Sequence, residues 1–345
     1  MTTVPTVAHV VARGEPYALG VAHGTALRRR LRAFLDDGVA RLNHLLPTAV
    51  TPVTPAGLAA DIAAYRAAIT RATPRLADEI AGLAAGAGLT SDEATLLQLR
   101  RELLGYRSIP AWGDCTSYAR PGLLAQTVDL NGNLDDQIAV LDLGGDRRRA
   151  LVLSFGGLLG YLGVNTSGLA VGLNLVLGGA WGPGLPPYLA IRHLLDSADS
   201  VERAVATLRA LPLASSRTIV LADATMTAWV EVLGAEYRVM RSTESVHTNH
   251  FLAADFTDRD ELNVFARTSS LRRLRAAETA LRELPGDAGA EDHLALLSRP
   301  PIRVPGDGRI RTERTVAAVV LDARRRTLHL RPGDPRHSPT LTFQL

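Results

Sequence analysis

The 345-residue chain has no lysine, and all 38 of its basic residues are arginine. That absence removes every chemistry that needs a primary side-chain amine: a Schiff base, a pyridoxal-phosphate enzyme, a Ser-Lys dyad and the phosphate-binding lysine of a P-loop. Cysteine is almost as scarce. One thiol, Cys115, allows no intrachain disulfide, no CxxC redox pair and no multi-cysteine zinc site. Long apolar runs are missing too, since no stretch approaches the roughly 18 uninterrupted apolar residues of a membrane span. Met1-Thr2-Thr3-Val4-Pro5 carries neither the basic region nor the apolar stretch of a signal peptide. The expectation is a soluble cytoplasmic protein with no membrane partner. Charge of one sign is also low: the net charge is +3, with arginines scattered or in short groups such as Arg28 to Arg30 and Arg147 to Arg149. A nucleic-acid partner would require a denser basic footprint.

What is present suits a large folded core, with 46% hydrophobic and 21% charged residues, enough for one large domain or two closely packed ones. From Tyr17 to about Gly105 the apolar spacing is mostly helical. Thr73-Pro74 reads as an N-cap and first helical residue, Gly86-Ala87-Gly88 as the end of that helix, and Ser91-Asp92-Glu93 as the start of the next. An irregular linker over 106–114 follows. After it the period changes to strands: 115–120, 123–130, 138–143, 149–155 and 169–175. Helices are expected around 187–196 and 201–210, then strands over 218–222, 227–233 and 237–240. Helices near 270–283 and after Asp292, then strands over 315–321 and 327–330, close the chain. Strands, helices and strands in succession imply stacked sheets with helical outer layers.

Cys115 opens the first of these strands, within Gly113-Asp114-Cys115-Thr116-Ser117-Tyr118. Pro121-Gly122 signals a turn, so this strand returns antiparallel. A two-residue turn sets Cys115 opposite Val128, and a three-residue loop sets it opposite Asp129. Either places Asp129 beside the thiol, although a carboxylate there could instead cap the Asn131-Gly132 turn. A buried thiol can be inert. To be a nucleophile it needs a base: one of nine histidines brought from elsewhere, or its own α-amino group if the Asp114-Cys115 bond breaks, such an amine ordinarily titrating near pH ~8. His247-Thr248-Asn249-His250 is the other concentrated polar cluster. Its histidine spacing invites a metal, but no carboxylate flanks it at ligand spacing, so no metal is expected. Asn249 is a candidate oxyanion donor, or else a turn asparagine.

At these residues the sequence resembles the acyl-CoA:isopenicillin N (6-aminopenicillanic acid) acyltransferase family of N-terminal-nucleophile cysteine hydrolases. The resemblance runs through Gly14-Glu15-Pro16-Tyr17-Ala18-Leu19-Gly20 with His23-Gly24, residues 79–89 and 97–103, Cys115-Thr116-Ser117, Gln126-Thr127-Val128-Asp129, 163–170, and His247-Thr248-Asn249-His250. It departs at Asp114, where the fungal enzyme has glycine, at Gln98, where asparagine is common, and before Asp129, where an aromatic is usual. The resemblance implies an α+β fold, a four-layer αββα sandwich with an added helical N-terminal segment. It also implies cleavage between Asp114 and Cys115 into a helical segment, 1–114, and a catalytic core, 115–345. It places the nucleophile on Cys115, the supporting carboxylate on Asp129 and the oxyanion-binding amide on Asn249. Thr116, Ser117, Asn165 and His247 are the expected supporting or substrate-contacting residues. The expected activity is hydrolysis of a small N-acyl amide through an acyl-thioester, without a cofactor. The alternatives are acyl transfer from a thioester or amide to an amine, and a non-catalytic binding protein on the same fold. A homo-oligomer stays open.

Overall fold

The computed structural model describes residues 5–47, 50–104, 115–145 and 148–345. The Asp114 side of the expected cleavage bond lies outside them. The N-terminal part runs β1 (Ala8–Arg13), α1 (Pro16–Asp36), α2 (Leu42–Leu45), α3 (Pro55–Ala72), α4 (Pro74–Ala87) and α5 (Ser91–Leu104). After Cys115 come β2 (Ser117–Arg120), β3 (Leu123–Leu130), a 3-10 turn at Leu134–Gln137, β4 (Ile138–Gly144), β5 (Arg149–Phe155), β6 (Leu162–Asn165) and β7 (Ala170–Leu175). Two helices, α6 (Pro187–Ser197) and α7 (Val201–Arg209), precede β8 (Arg217–Ala222), β9 (Thr227–Leu233), β10 (Glu236–Ser242) and β11 (Ser245–His247). The chain closes with α8 (Ala254–Thr257), α9 (Val264–Glu283), α10 (Ala290–Leu297), β12 (Arg314–Asp322), β13 (Thr327–Pro332) and β14 (Leu341–Gln344).

The strands form two sheets, in the orders β1-β4-β5-β6-β7-β8-β9-β10 and β11-β2-β3-β12-β13-β14. Helices α1, α6 and α7 cover the outer face of the first sheet, and α10 that of the second, with α9 packed against β11. This is the expected αββα layering. The inner faces meet through β3 on β7 and β2 on β8. At that junction the Gln126 side chain imitates a strand, donating to Leu173 O (2.8 Å) and accepting from Leu173 N–H (3.1 Å). Gly172 is required beside it, because a Cβ there would lie 2.5 Å from Gln126 Oε1.

The helical expectation for the N-terminal part leaves out β1, which pairs parallel with β4 from Ala8↔Ala139 to Arg13↔Gly144 and makes the segment one edge of the first sheet. Helices α1 and α4 interlock through small residues. A Cβ on Gly20 would meet Glu79 O at 2.0 Å, and one on Gly82 would meet Tyr17 O at 2.0 Å. Gly24 and Gly86 repeat this contact one turn on, with 2.4 Å to Leu83 O and 2.2 Å to Val21 O. The caps differ from expectation in detail. Thr73 precedes α4, but its hydroxyl donates to Ile69 O (3.3 Å) rather than capping. A reciprocal box at α5 uses Thr90, with Glu93 N–H on Thr90 Oγ1 (3.1 Å) and Thr90 N–H on Glu93 Oε2 (2.8 Å).

Candidate active site

The β2–β3 hairpin has the two-residue turn, with Ser117↔Gln126 through Arg120↔Leu123 in register and Gly122 at φ +88°. Thr127 N–H donates to Thr116 O (2.9 Å), and Thr116 N–H donates to Thr127 Oγ1 (3.0 Å). Continuing that ladder sets Cys115 opposite Val128, the first of the two expected registers. The next residue then supplies the thiol's neighbour: Asp129 N–H points at Cys115 Sγ at 3.5 Å. Tyr161 Oη lies 3.7 Å from the sulfur. Cys115 and Asp129 are both buried and line one cavity of about 790 Å³, part of it open to solvent. Opposite Asp129 across the ladder is Thr315 of β12, where a bulge falls between Thr315 and Ala317. The bulge re-aims the strand end beside the carboxylate.

The carbonyl of Cys115 is held from two sides. Asn174 of β7 donates its Nδ2–H at 2.8 Å, and Arg273 of α9 donates at 2.9 Å. The same guanidinium reaches Thr116 Oγ1 (3.0 Å) and, through its second terminal nitrogen, Asn249 Oδ1 (2.7 Å). Ser117 hydrogen bonds Asn174 through its hydroxyl, on the same face of the strand as Cys115. One buried arginine therefore ties the expected nucleophile, its neighbour Thr116 and the expected oxyanion amide into one unit. With Oδ1 committed to Arg273, the Asn249 amide turns its Nδ2 the other way, toward Leu175 O at 3.0 Å. Leu175 lines the cavity, and a second Nδ2–H remains. The Asn249 backbone is fixed in turn by Ser270 Oγ (2.8 Å).

The remaining expected residues lie farther out. His247 Nδ1 donates to Thr248 O (2.8 Å), and its Nε2 meets Glu231 Oε1 (2.8 Å), both side chains being fully buried. Glu231 already accepts from Leu252 N–H (2.6 Å) and Ala253 N–H (3.0 Å). This buried contact braces the loop after β11. His250 is likewise internal: Nδ1 sits 2.7 Å from Ser270 Oγ, and burial, then the charges of His247 and Arg267, pull its pKa down to about 4. No group of three or more His, Cys, Asp or Glu that could hold a metal is found among the described residues. Asn165 is not brought to the cavity. Its Nδ2 donates to Leu195 O (2.9 Å) and Ala198 O (2.8 Å), and its Oδ1 accepts from Ser167 N–H (3.0 Å) and Leu169 N–H (3.1 Å), so it is a loop brace with its bonding capacity used.

Apolar Leu97, Leu158, Phe155 and Leu173 make much of the cavity wall, with Tyr161 stacked on Tyr188 at 5.4 Å between centroids. Three arginines reach it: Arg100 and Arg101 from α5, and Arg217 from β8. Arg217 forms a buried pair with Glu102 (3.3 Å), which burial pushes toward the neutral form, and it lies over the Trp181 ring at 4.9 Å. Asn174, Arg273, Tyr161 and Glu231 thus contact Cys115, Asn249 or His247 without having been singled out by the motif reading. Of these, Asn174 in Ala170-Val171-Gly172-Leu173-Asn174-Leu175 carried a visible signal, a lone amide in an apolar strand.

The family model for acyl-coenzyme A:6-aminopenicillanic acid acyl-transferase matches residues 118–337, beginning three residues beyond Cys115. The 40 kDa form of acyl-coenzyme A:6-aminopenicillanic-acid-acyltransferase from Emericella nidulans is 26% identical over 269 residues, 74% of this chain and 72% of that protein. Penicillin V acylase from Agrobacterium tumefaciens shares the fold, with a TM-score of 0.51 at 14% identity over 67% of this chain and 86% of that one. Among the described residues, no helix is long and apolar enough to cross a membrane. A family match over well more than half the chain, on the sandwich the resemblance implied, makes this protein a member of the acyl-coenzyme A:6-aminopenicillanic acid acyl-transferase family.

Proposed function

We propose that the chain is a self-processing cysteine amide hydrolase with Cys115 as the N-terminal nucleophile of a core spanning 115–345. The observation that carries this reading is the Arg273 bridge, which holds the Cys115 carbonyl and the Asn249 amide on one guanidinium; of the three, Cys115 lines the cavity, while Arg273 and Asn249 lie buried behind it. In processing, the thiol attacks the Asp114 carbonyl, the acyl group shifts from nitrogen to sulfur, and water opens the thioester to free the α-amino group of Cys115. In turnover that amine takes the thiol proton, the sulfur attacks the substrate carbonyl, and the second Nδ2–H of Asn249 supports the oxyanion. The Asp129 carboxylate orients the ammonium. The protonated amine returns its proton to the leaving nitrogen, and water then releases the acid.

Family membership supports a second reading, in which a bound amine takes the acyl group from the same thioester. Water at ~55 M outcompetes an unbound acceptor unless a site raises its effective molarity. Mass spectrometry of the purified protein tests processing: fragments 1–114 and 115–345 are expected, and Cys115→Ala stays one chain. Product partition against acceptor concentration tests fate. A fully active wild type that remains a single 345-residue polypeptide would overturn the first claim, and near-complete transfer at millimolar acceptor, saturating with concentration, would replace hydrolysis by transfer.

A further inference from the structure

A second cavity, of about 640 Å³ and partly open to solvent, lies between α1, α3 and α4 of the N-terminal segment and α6 of the core. It shares no lining residue with the cavity at Cys115. Two of its lining side chains, Glu79 of α4 and Arg192 of α6, are charged groups only 1% exposed. Arg192 Nη2–H donates to Glu79 Oε2 at 3.2 Å, and Asp196 pairs with the same guanidinium. Glu79 Oε1 and Arg192 Nε remain buried without a hydrogen-bond partner among the described residues.

Such orphans are costly unless something in the cavity meets them. Arg192 Nε–H calls for an acceptor. Glu79 calls for one too when it is protonated, because Oε2 is taken by Arg192 and the proton then sits on Oε1. Burial outweighs the pull of Arg192 and, with the charge of Asp196, lifts this carboxyl's pKa to about 7. The other charges at the seam favour an anion. Arg75 of α4 and Arg148, from the connection between β4 and β5, line the cavity, and His23 of α1 is neutral above about pH 4. The first turn of α4 opens here as well, with no side chain capping it, since the Thr73 hydroxyl is turned to Ile69 O (3.3 Å). A helix N-terminus of this kind attracts negative charge. Leu19, Ala72 and Leu76 make the neighbouring wall apolar.

We propose that this second cavity binds a small monocarboxylate with an apolar tail, one oxygen accepting from Arg192 Nε–H and the other from a proton on Glu79 Oε1. The site is independent of the amide-hydrolase reading above. Ionised Glu79 would set two carboxylates face to face, so above pH 7 each ligand enters together with one proton taken from solvent. Because α4 lies before the expected cleavage point and α6 after it, the bound acid also ties the N-terminal segment to the core.

Titration calorimetry of the wild-type protein with butyrate and with neutral butyramide tests the site. Butyrate should bind at least about 10-fold more tightly, as hydrogen bonds to a charged group require. With Glu79 titrating at about 7, butyrate affinity should fall about 10-fold from pH 6 to pH 8. Glu79→Gln, whose amide N–H replaces the carboxyl proton, should bind at pH 8 as tightly as wild type does at pH 6. His193 also lines the cavity, and histidines ordinarily titrate in this range. His193→Gln should therefore leave the pH dependence in place. Ala72→Phe, which fills the cavity from α3, should weaken butyrate by at least about 10-fold through a direct clash, and Glu79→Gln still decides the matter if that variant fails to fold. Equal affinity for butyrate and butyramide, or butyrate binding and pH dependence unchanged in Glu79→Gln, would overturn the proposal. So would a pH dependence abolished by His193→Gln alone. No binding up to about 10 mM butyrate would also reject it, leaving water as the occupant of the cavity.

Discussion

Glu79 and His23 meet the seam between α1, α4 and α6 with opposite proton preferences, and replacing either should tilt the pH dependence of stability in opposite directions. Glu79 is buried and pairs with Arg192 (3.2 Å), yet burial outweighs that attraction and lifts its pKa to about 7 from 4.5. His23 is fully buried with neither ring nitrogen hydrogen-bonded, and burial, then Arg192, lowers its pKa to about 4 from 6.5. Between pH 4.5 and 7 the folded chain holds a proton on Glu79 that the unfolded chain has released, so this group makes stability fall as pH rises. Between pH 4 and 6.5 the unfolded chain holds a proton on His23 that the folded chain lacks, so this group makes stability rise. Each shift corresponds to roughly 3 kcal/mol across its window, and from pH 4.5 to 6.5 the two nearly cancel. Glu79→Gln should match wild type near pH 4.5 and exceed it by about 3 kcal/mol at pH 8, whereas His23→Leu should match near pH 8 and exceed it by a similar amount at pH 4.5. Urea unfolding at four pH values, with each variant read as a difference from wild type, measures this directly. A pH-independent difference for Glu79→Gln would refute the claim that burial outweighs Arg192.

Other outcomes follow from the site and the helix seam. Asn249→Ala should lower kcat by about 10²–10³ with little change in KM, once processing has been checked by mass, and a wild-type kcat would reduce Asn249 to a loop residue. Arg273→Met should lower kcat comparably by releasing the Asn249 amide, with Arg273→Lys recovering part of it; equal loss in both variants would point to general misfolding instead. Gly82→Ala should destabilise by more than about 3 kcal/mol, beyond an ordinary overpacking change, because its Cβ would fall 2.0 Å from a backbone oxygen. A thermal midpoint within a few degrees of wild type would contradict so close a helix contact.

The hairpin was legible because its signals are local. The turn residues Pro121-Gly122 and the apolar run gave Leu123–Leu130 with its observed bounds and one of the two expected partners for Cys115. Elements that depend on distant partners were not legible. Strands β1, β6, β11 and β14 are three to six residues long and become strands only by joining an existing sheet. Arg273 illustrates the same limit within the site. Helix α9 carries Arg267, Arg272, Arg273, Arg275 and Arg282, and no local pattern marks the one that turns inward to three acceptors. Arg100 and Arg101 are adjacent on α5, yet Arg100 turns to Ala40 O and the Phe34 ring while Arg101 faces Glu313 from the far end of the chain. Asn165 was misplaced for the converse reason: a buried amide in a loop motif suits a brace as well as a binding site, and its four hydrogen bonds are visible only in three dimensions.

The pairing of β1 with β4 bears on what a cut chain could do in solution. A segment that only lay across the surface would come off on dilution, and two cut molecules could trade segments. Here residues 8–13 are an edge strand of the larger sheet, and Leu31, Phe34 and Leu97 of the segment pack closely on Gly156 and Gly157 of the core. Release would require stripping a sheet edge and opening the cavity wall together, so its rate is bounded by that of global unfolding, which spans ~10¹–10⁻⁶ s⁻¹ in small domains. A nicked molecule would keep its original partner at nanomolar concentration, and mixing two isotopically labelled populations would yield no hybrids on the timescale of an assay.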